Sequence, residues 1–582
     1  MPKGFLVENV YSDVTNPYNQ YRDCLEDIMD YLYADDSRGQ ICALYGLRRT
    51  GKTTLLRQAA KSLPEPFQAK ALYLKCYETG CDFHDVIAFV SDRIKEGYTY
   101  FFIDEITYAE NFQGLATVLS DGFVNINGAK IVVTGTDSLA LSIVSQDAMY
   151  DRIEFINTSY IPFPEYSRIT GCNSFDEYIK KGCTLTDTFS SFNKTQDYVR
   201  TAIVNNIINS LEKSEGIRRF PSVLTEDYDK EQISNEIQRQ INKYSQTAIK
   251  RAITKVFKSA PVHDALDFAD KHTIDFPHLK DKINISKVDA NIARMLNTEN
   301  VSGIKDSDIV KITGFLKNIG VLKTIPYVSD FRSSEALADA EEFEDKSFLE
   351  MFTHPGMFHA NIAHALSVLA DEGNWINASA AEKNYIITKA YESAMGKITE
   401  NIVISDCFDF LCDSSNTHQS LFLGDSRWYV SKFAENINGK NCEADLIIYD
   451  RINKNVWLFE VKHSSEFADE QSVHLENKDM LKYINDNFGT IRNTALLYNG
   501  DNIRSNVPRL SIKDFLKHMY DHKDDPEYTP DMTIEALLKR KVLSPEEKLE
   551  KIKQAEDKVD VKNKDESLKK ENPSTDSPDF DD

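Results

Sequence analysis

The sequence predicts an α/β chain: a parallel sheet covered by helices on both faces, then a helical stretch, then a second α/β unit. Three observations predict it. An apolar run, Ile41–Tyr45, leads into Gly46-Leu47-Arg48-Arg49-Thr50-Gly51-Lys52-Thr53, the spacing G-x-x-x-x-G-K-[ST] of a phosphate-cradling loop. From there to about residue 134, short apolar runs alternate with segments of helical periodicity. Far downstream, two more apolar runs carry Asp445 and Glu460-Val461-Lys462.

Both glycines let the loop backbone wrap closely with its N–H groups pointing inward, and the N-terminus of the following helix adds partial positive charge. Lys52 is placed to reach the β- and γ-phosphates of a nucleotide, and the Thr53 hydroxyl to sit on Mg²⁺. ATP and Mg²⁺ are therefore the expected ligands, with Gly46, Arg49, Thr50, Gly51, Lys52, Thr53 and Thr54 around them. A glycine-lysine surface turn is the alternative, and only the surroundings of the motif decide between the two.

At 582 residues the chain exceeds what one core serves, so three or four domains are expected. A hydrophobic content of 41% is enough for ordinary globular cores. No apolar run approaches the length that crosses a bilayer, and the apolar patch between Met1 and Asp13 is too short for a signal peptide. The nine cysteines form no C-x-x-C pair and have no matching histidine clusters, which fits reduced thiols in a cytoplasmic protein. A net charge of −24 argues against broad non-specific adhesion to nucleic acid and leaves room for a local basic groove.

In chain order, Tyr21, Leu25, Ile28, Met29 and Leu32 share one face of a first helix. After the loop, Leu55, Leu56, Ala59 and Ala60 continue a helix that Pro64 and Pro66 must end. Ala71 to Leu74 reads as a strand, and Phe83, Val86, Ile87, Val90 and Ile94 as a helix. Tyr100 to Ile103 is a short buried strand ending in Asp104-Glu105. A helix follows at about 111–119, and then a strand from Lys130 to Thr134. This alternation implies the parallel sheet that a phosphate loop requires. Asp104 ends its strand at the carboxyl edge of that sheet, where it can hold Mg²⁺ through water. Glu105 is placed to polarise the water that attacks the γ-phosphate. Thr134-Gly135-Thr136 offers polar groups near that phosphate, with Thr136 among the expected nucleotide contacts. Arg152 is a candidate charge sensor or arginine finger, a surface salt bridge being an equal alternative.

Taken together, these motifs resemble the AAA+-related, archaeal-type ATPases, and Ile161-Pro162-Phe163-Pro164-Glu165-Tyr166 after Arg152 resembles the next signature of that family. The resemblance covers about residues 15–500, with a poorly matched middle. It implies a P-loop NTPase fold followed, as in several members, by a helical and winged-helix region and a restriction-endonuclease-like domain. In the middle, Tyr198, Ala202, Ile203 and Ile207 show helical periodicity, as do Ile233, Ile237 and Ile241. Asp306 to Ile319 suggests a helix closing on Gly320, then a hairpin to about Val328, like the second helix and wing of a winged helix. DNA binding is one use of such a module. Protein packing is the favoured one, because the helix carries only Lys311 and Lys317.

Glu443 to Ile448 reads as a strand that begins with acids, and Val456 to Lys462 as its hairpin partner. Side chains alternate along a strand, so Glu460 and Lys462 face the same way and Asp445 can meet them. Two carboxylates can bind Mg²⁺, and a lysine beside them can activate a water for phosphodiester attack. The D…E-x-K arrangement resembles the PD-(D/E)xK nucleases, although Ala444 precedes the aspartate where the family has proline. By that resemblance Asp445, Glu460 and Lys462 would be catalytic, with Asp445 and Glu460 as metal ligands. Glu400, on a helix beginning near Gly396, would be an additional metal-side acid. The alternatives are a surface hairpin with a Glu–Lys pair, or a nuclease-like fold whose chemistry is lost. Asp479 to Asn487 reads as a helix and Asn493 to Tyr498 as a strand completing the same unit, and the stretch beyond about Val542 is too charged to fold alone.

The expected organisation is a P-loop ATPase domain at 1–170, a helical region at 171–240, a helical/winged-helix-like region at 241–345, a nuclease-like domain at 346–540 and a disordered charged tail at 541–582. The expected function is Mg-dependent ATP binding and hydrolysis coupled to a C-terminal domain acting on DNA. The rival is a nucleotide-gated switch whose C-terminal domain only binds a partner or nucleic acid. A homo-oligomer is compatible with either, and no membrane contact is expected.

Overall fold

The computed structural model describes residues 4–11, 20–34, 40–111, 118–137, 152–213, 224, 227–258, 281–296, 298–299, 303–326, 348–412, 427–465 and 474–539. The tail at 541–582, the hairpin end at Val328 and most of the helix expected at 111–119 lie outside these residues.

Among the described residues, six strands form the first sheet: β1 (Phe5–Glu8), β2 (Ile41–Tyr45), β3 (Ala71–Cys76), β4 (Tyr100–Asp104), β5 (Lys130–Thr134) and β6 (Ile153–Asn157), in the order β1-β3-β4-β5-β2-β6. All pairings are parallel except β1 with β3 at one edge. Strands β2, β4 and β5 are almost wholly apolar because both of their faces are covered. On one face, Ile28 and Leu32 of α1 (Leu25–Tyr33) and Leu55, Leu56 and Ala59 of α2 (Lys52–Ser62) pack on Leu44, Phe102 and Val132. On the other, Val86 and Val90 of α3 (Phe83–Lys95) pack on Ala43, Ile103 and Val133. Because β5 lies between β2 and β4, its polar end enters the gap between the phosphate loop and Asp104-Glu105.

Beyond this sheet, structural elements span two of the expected limits. The limit at 240/241 falls inside one continuous helix, α4 (Lys230–Lys258), whose buried Ile233, Ile237, Ile241 and Ile249 keep a single face turned inward. The helix expected before Gly320 is α5 (Asp306–Asn318), and β7 (Leu322–Pro326) follows it. The partner of β7 is β8 (Phe348–Phe352), antiparallel, with Leu322 opposite Phe352. A boundary at 345/346 would therefore cut a strand from the one it is hydrogen-bonded to.

The last sheet has the order β13-β12-β11-β10-β9, built from β9 (Trp428–Ile437), β10 (Lys440–Asp450), β11 (Asn455–Lys462), β12 (Thr490–Tyr498) and β13 (Arg509–Ser511). The pairs β9–β10 and β10–β11 are antiparallel, and β11–β12 and β12–β13 parallel. One face packs on α6 (Ala380–Leu411) through Trp428, Val430, Leu446, Ile448 and Phe459, in a core continuous with Ile161 and Phe163 after β6. The other face packs on α7 (Lys478–Asn487) through Tyr429, Phe433, Ile447 and Leu458. No helix among the described residues is long and apolar enough to cross a membrane.

Asp406 of α6 fastens the C-terminal unit to the segment that follows β6. Its carboxylate accepts the Tyr160 hydroxyl and, at 3.1 Å, the Phe163 N–H. Burial pushes its pKa up to about 7. A carboxyl raised in the folded state contributes stability that is complete below about pH 4, the unfolded value, and is lost as pH rises through 7. Urea unfolding should therefore show the stability of the wild type relative to Asp406→Asn falling by about 2–4 kcal/mol between pH 4 and pH 8. A pH-independent difference would remove this role for Asp406.

Candidate functional site

The loop after β2 is closed on itself. A Cβ on Gly46 would lie 2.6 Å from Thr158 Oγ1, so only glycine lets the loop pass the end of β6. Gly51, at φ 96°, takes the left-handed turn that starts α2. Lys52 is 8% exposed and donates to the carbonyl oxygens of Gly46 and Leu47, both at 2.8 Å. Burial lowers its pKa to about 8, against the opposing charges of Glu105 and Asp104. Thr50 turns inward, its hydroxyl donating to Leu47 O at 2.9 Å. Arg49, at φ 67°, is exposed and reaches Thr188 Oγ1 at 3.2 Å. Thr54 lines a recess with Gln20, Gln58, Ile169 and Leu185.

The strand ends supply the acids. Thr53 donates to Asp104 Oδ1 at 3.1 Å, and Thr134 donates to the same oxygen at 2.7 Å while accepting the Glu105 N–H at 3.1 Å. Glu105 has φ 57°, a left-handed conformation uncommon outside glycine. Its Oε2 accepts both the N–H and the hydroxyl of Thr136, at 2.8 and 2.5 Å. Asp104 Oδ2 is buried with no hydrogen-bond partner. An unsatisfied buried carboxylate oxygen is costly, and a hard cation coordinated by oxygen would satisfy it. On that observation the residues fit Mg²⁺ beside Thr53.

Arg152 is not brought to this array. It precedes β6, and its carbonyl accepts the Ile41 N–H at the amino end of β2. The five-residue length of β2, about 15 Å, separates that edge from the loop at the carboxyl end. Arg152 thus lies at the amino edge of the sheet, opposite the edge that carries the loop. The arginine that does meet the loop is Arg22, for which the sequence carried no signal. Its guanidinium donates to Glu165 Oε1 at 2.6 Å, Thr50 O at 2.7 Å, Thr158 O at 3.3 Å and Tyr160 O at 2.9 Å. Ser159 adds a second tie. It accepts the Leu47 N–H at 3.3 Å and donates to Ile319 O at 2.8 Å, linking the loop to the end of α5.

The downstream constellation gathers on β10 and β11, two interior strands of the five-stranded sheet. Lys462 Nζ bonds Glu460 Oε1 and lies 3.4 Å from Asp445 Oδ2, which also accepts the Val461 N–H at 3.0 Å. Glu400 of α6 joins them, and so does a residue the sequence reading passed over, Lys432 of β9. Its ammonium is 3.0 Å from Glu400 Oε1 and 3.6 Å from Asp445 Oδ1. A lysine inside the apolar run Trp428-Tyr429-Val430-Ser431-Lys432-Phe433 was the available signal, since lysine is seldom buried unpaired. Burial resists ionisation of Asp445, but Lys462 and Lys432 outweigh it and hold that carboxyl below the usual range. Burial, aided by the Asp445 charge, pushes Glu460 up to about 7. The carboxylates are thus occupied by lysines. Among the described residues, no group of three or more His, Cys, Asp or Glu is arranged to hold a metal ion.

Arg22 and Glu165 are 6% and 2% exposed. Arg22→Met strands a buried carboxylate and should cost about 3–5 kcal/mol in denaturant unfolding, with Arg22→Met/Glu165→Gln recovering much of the loss. Equal unfolding midpoints for wild type and Arg22→Met would show the pair to be dispensable.

Comparison with known proteins agrees with the first site. Residues 38–167 match the family model described as an AAA domain. No curated protein matches the chain. Among solved structures, the Walker-type ATPase PABY2304 of Pyrococcus abyssi is 13% identical, over 58% of this chain and 95% of that one, with a TM-score of 0.26. The Hsp104–ADP complex of S. cerevisiae is 14% identical, over 71% of this chain and 59% of that one, with a TM-score of 0.23. At such TM-scores the whole chains do not superpose. The phosphate loop, its acid-bearing strand and the matched span agree, and the chain carries a P-loop ATPase domain of the AAA type over residues 38–167.

Proposed function

We propose that this protein is a Mg-dependent ATPase whose nucleotide cycle controls a C-terminal, nuclease-like unit directed at DNA. The observation that carries the ATPase half is the bonded array Thr53–Asp104–Thr134–Glu105–Thr136 beside Lys52, with one carboxylate oxygen of Asp104 left over. Lys52 exchanges its bonds to Gly46 O and Leu47 O for the β- and γ-phosphates of ATP. Thr53 and Asp104 would hold Mg²⁺, whose chemistry is to neutralise charge on those phosphate oxygens. Glu105 orients and deprotonates the attacking water, and Thr136 holds its carboxylate until then.

Lys52→Ala should abolish phosphate release. Glu105→Gln should keep nucleotide affinity, read with a fluorescent ATP analogue, and lose about 10²–10⁴-fold in turnover. Wild-type turnover by both variants rules the assignment out.

The nuclease half is supported by Asp445, Glu460 and Lys462 meeting across the neighbouring strands β10 and β11, with Glu400 on the adjoining helix. The lysine-filled carboxylates do not fit a metal in this conformation, and they favour a second reading: a nucleotide-gated switch whose C-terminal unit binds without cutting. Incubation with plasmid DNA and Mg²⁺ or Mn²⁺, with and without ATP, separates the two. Nicking that disappears in Asp445→Ala and Lys462→Ala supports a nuclease. Undiminished nicking by those variants excludes these residues, and an inert wild type leaves the switch.

A further inference from the structure

Glu105 does not stand alone at the end of β4. Its carboxylate is held by the N–H and hydroxyl of Thr136, at 2.8 and 2.5 Å, and Thr136 is itself held from outside the sheet. The side-chain amide of Asn206 donates from Nδ2 to the Thr136 carbonyl oxygen at 2.9 Å. Asn206 belongs to a helical run that follows the sheet in the chain. The run continues without a break through Phe192–Tyr198, Val199–Val204 and Asn205–Lys213. Asn206 is 2% exposed and lies among the buried Ile203, Val204 and Ile207.

Two features mark this contact as more than packing. The first is energetic. Among the described residues, Asn206 Oδ1 is buried with no hydrogen-bond partner. A buried acceptor left unpaired is unfavourable, and a leucine of similar size would fill the same apolar surroundings without that penalty. The second is the form of the helix. Val199–Val204 is π-helical, a rare geometry. Tyr198, just before it, donates its hydroxyl to the Arg48 carbonyl oxygen of the phosphate loop at 2.8 Å. Eight residues of regular α-helix would set Tyr198 and Asn206 about 80° apart around the axis. The wider π turns advance less per residue and narrow that angle, so one side of the run meets both the loop and the residues after β5.

We propose that Asn206 is a positioning residue for ATP hydrolysis: by fixing Thr136 it sets where the Glu105 carboxylate stands relative to the attacking water. The inference rests on the ATPase reading and adds to it a residue from the helical stretch. Asn206 acts through Thr136, clamping its carbonyl while the N–H and hydroxyl of the same residue hold Glu105. A general base displaced by about 1 Å loses much of its effect while substrate binding is untouched.

The test compares full-length wild type with Asn206→Leu, which keeps the size of the side chain and removes its amide. The variant should lose about 10–100-fold in kcat, while KM, affinity for a fluorescent ATP analogue and the thermal unfolding midpoint stay at wild-type values. In a Glu105→Ala background, single-turnover hydrolysis should fall no further when Asn206→Leu is added, because the group that Asn206 positions is gone. An unchanged kcat, a fall matched by lost nucleotide affinity or a lowered midpoint, or an equal fall in both backgrounds overturns the proposal. If Asn206→Leu does not fold, Asn206→Ser, too short to reach Thr136, takes the same measurements. Failure of both to fold makes the side chain a purely structural one and also overturns the proposal. Wild-type kcat in Asn206→Leu beside a slow Glu105→Ala refutes this inference and leaves the ATPase reading intact. A wild type that hydrolyses no ATP removes both.

Discussion

The buried pair of Arg22 and Glu165 is the constraint on which the arrangement depends. One guanidinium, shielded from water, donates to the phosphate loop at Thr50, to the residues after β6 at Thr158 and Tyr160, and to a carboxylate on the helix beginning at Phe163. A planar group with five donors in a fixed fork can hold three backbone carbonyls and one acid at once, which an ammonium cannot. The next residue carries the connection onward. Asp23 accepts the Tyr520 hydroxyl at 2.6 Å and Lys523 Nζ at 3.0 Å, both from the C-terminal unit, and Arg168 at 2.7 Å. Two consecutive residues therefore touch the nucleotide loop and the far end of the chain.

Other contacts converge on the same place. Asp406 holds α6 to Tyr160 and Phe163, and Ser159 holds the end of α5 to Leu47. The short segment 158–163 thus receives the loop, the strap at Arg22, the helix before β7 and the long helix under the second sheet. A shift of the loop on binding a nucleotide would be felt by each of them, because buried bonded groups cannot yield singly without leaving partners unsatisfied.

The two acid sites differ in how their charge is settled. At the first, Asp104 keeps one buried oxygen without a partner, and Lys52 is parked on backbone carbonyls. At the second, lysines fill the carboxylates.

The sequence by itself determined the parallel sheet, the phosphate loop and the acids at its strand ends, because each rests on local pattern: apolar runs for doubly covered strands, glycines for the turn, and Asp104-Glu105 directly after Ile103. It also marked the group Asp445, Glu460 and Lys462, since strand alternation is local too. It missed β6, a half-exposed edge strand with no clean alternation, and with it the strand direction that sets Arg152 at the edge opposite the loop. Only the tertiary structure decided that Arg22 meets Glu165 across 143 positions, that β7 pairs with β8 beyond an expected boundary, and that Lys432 of β9 meets Glu400 and Asp445. Each of these is a pairing of groups remote in the chain, whose energy comes from shared burial, and local spacing contains no record of it.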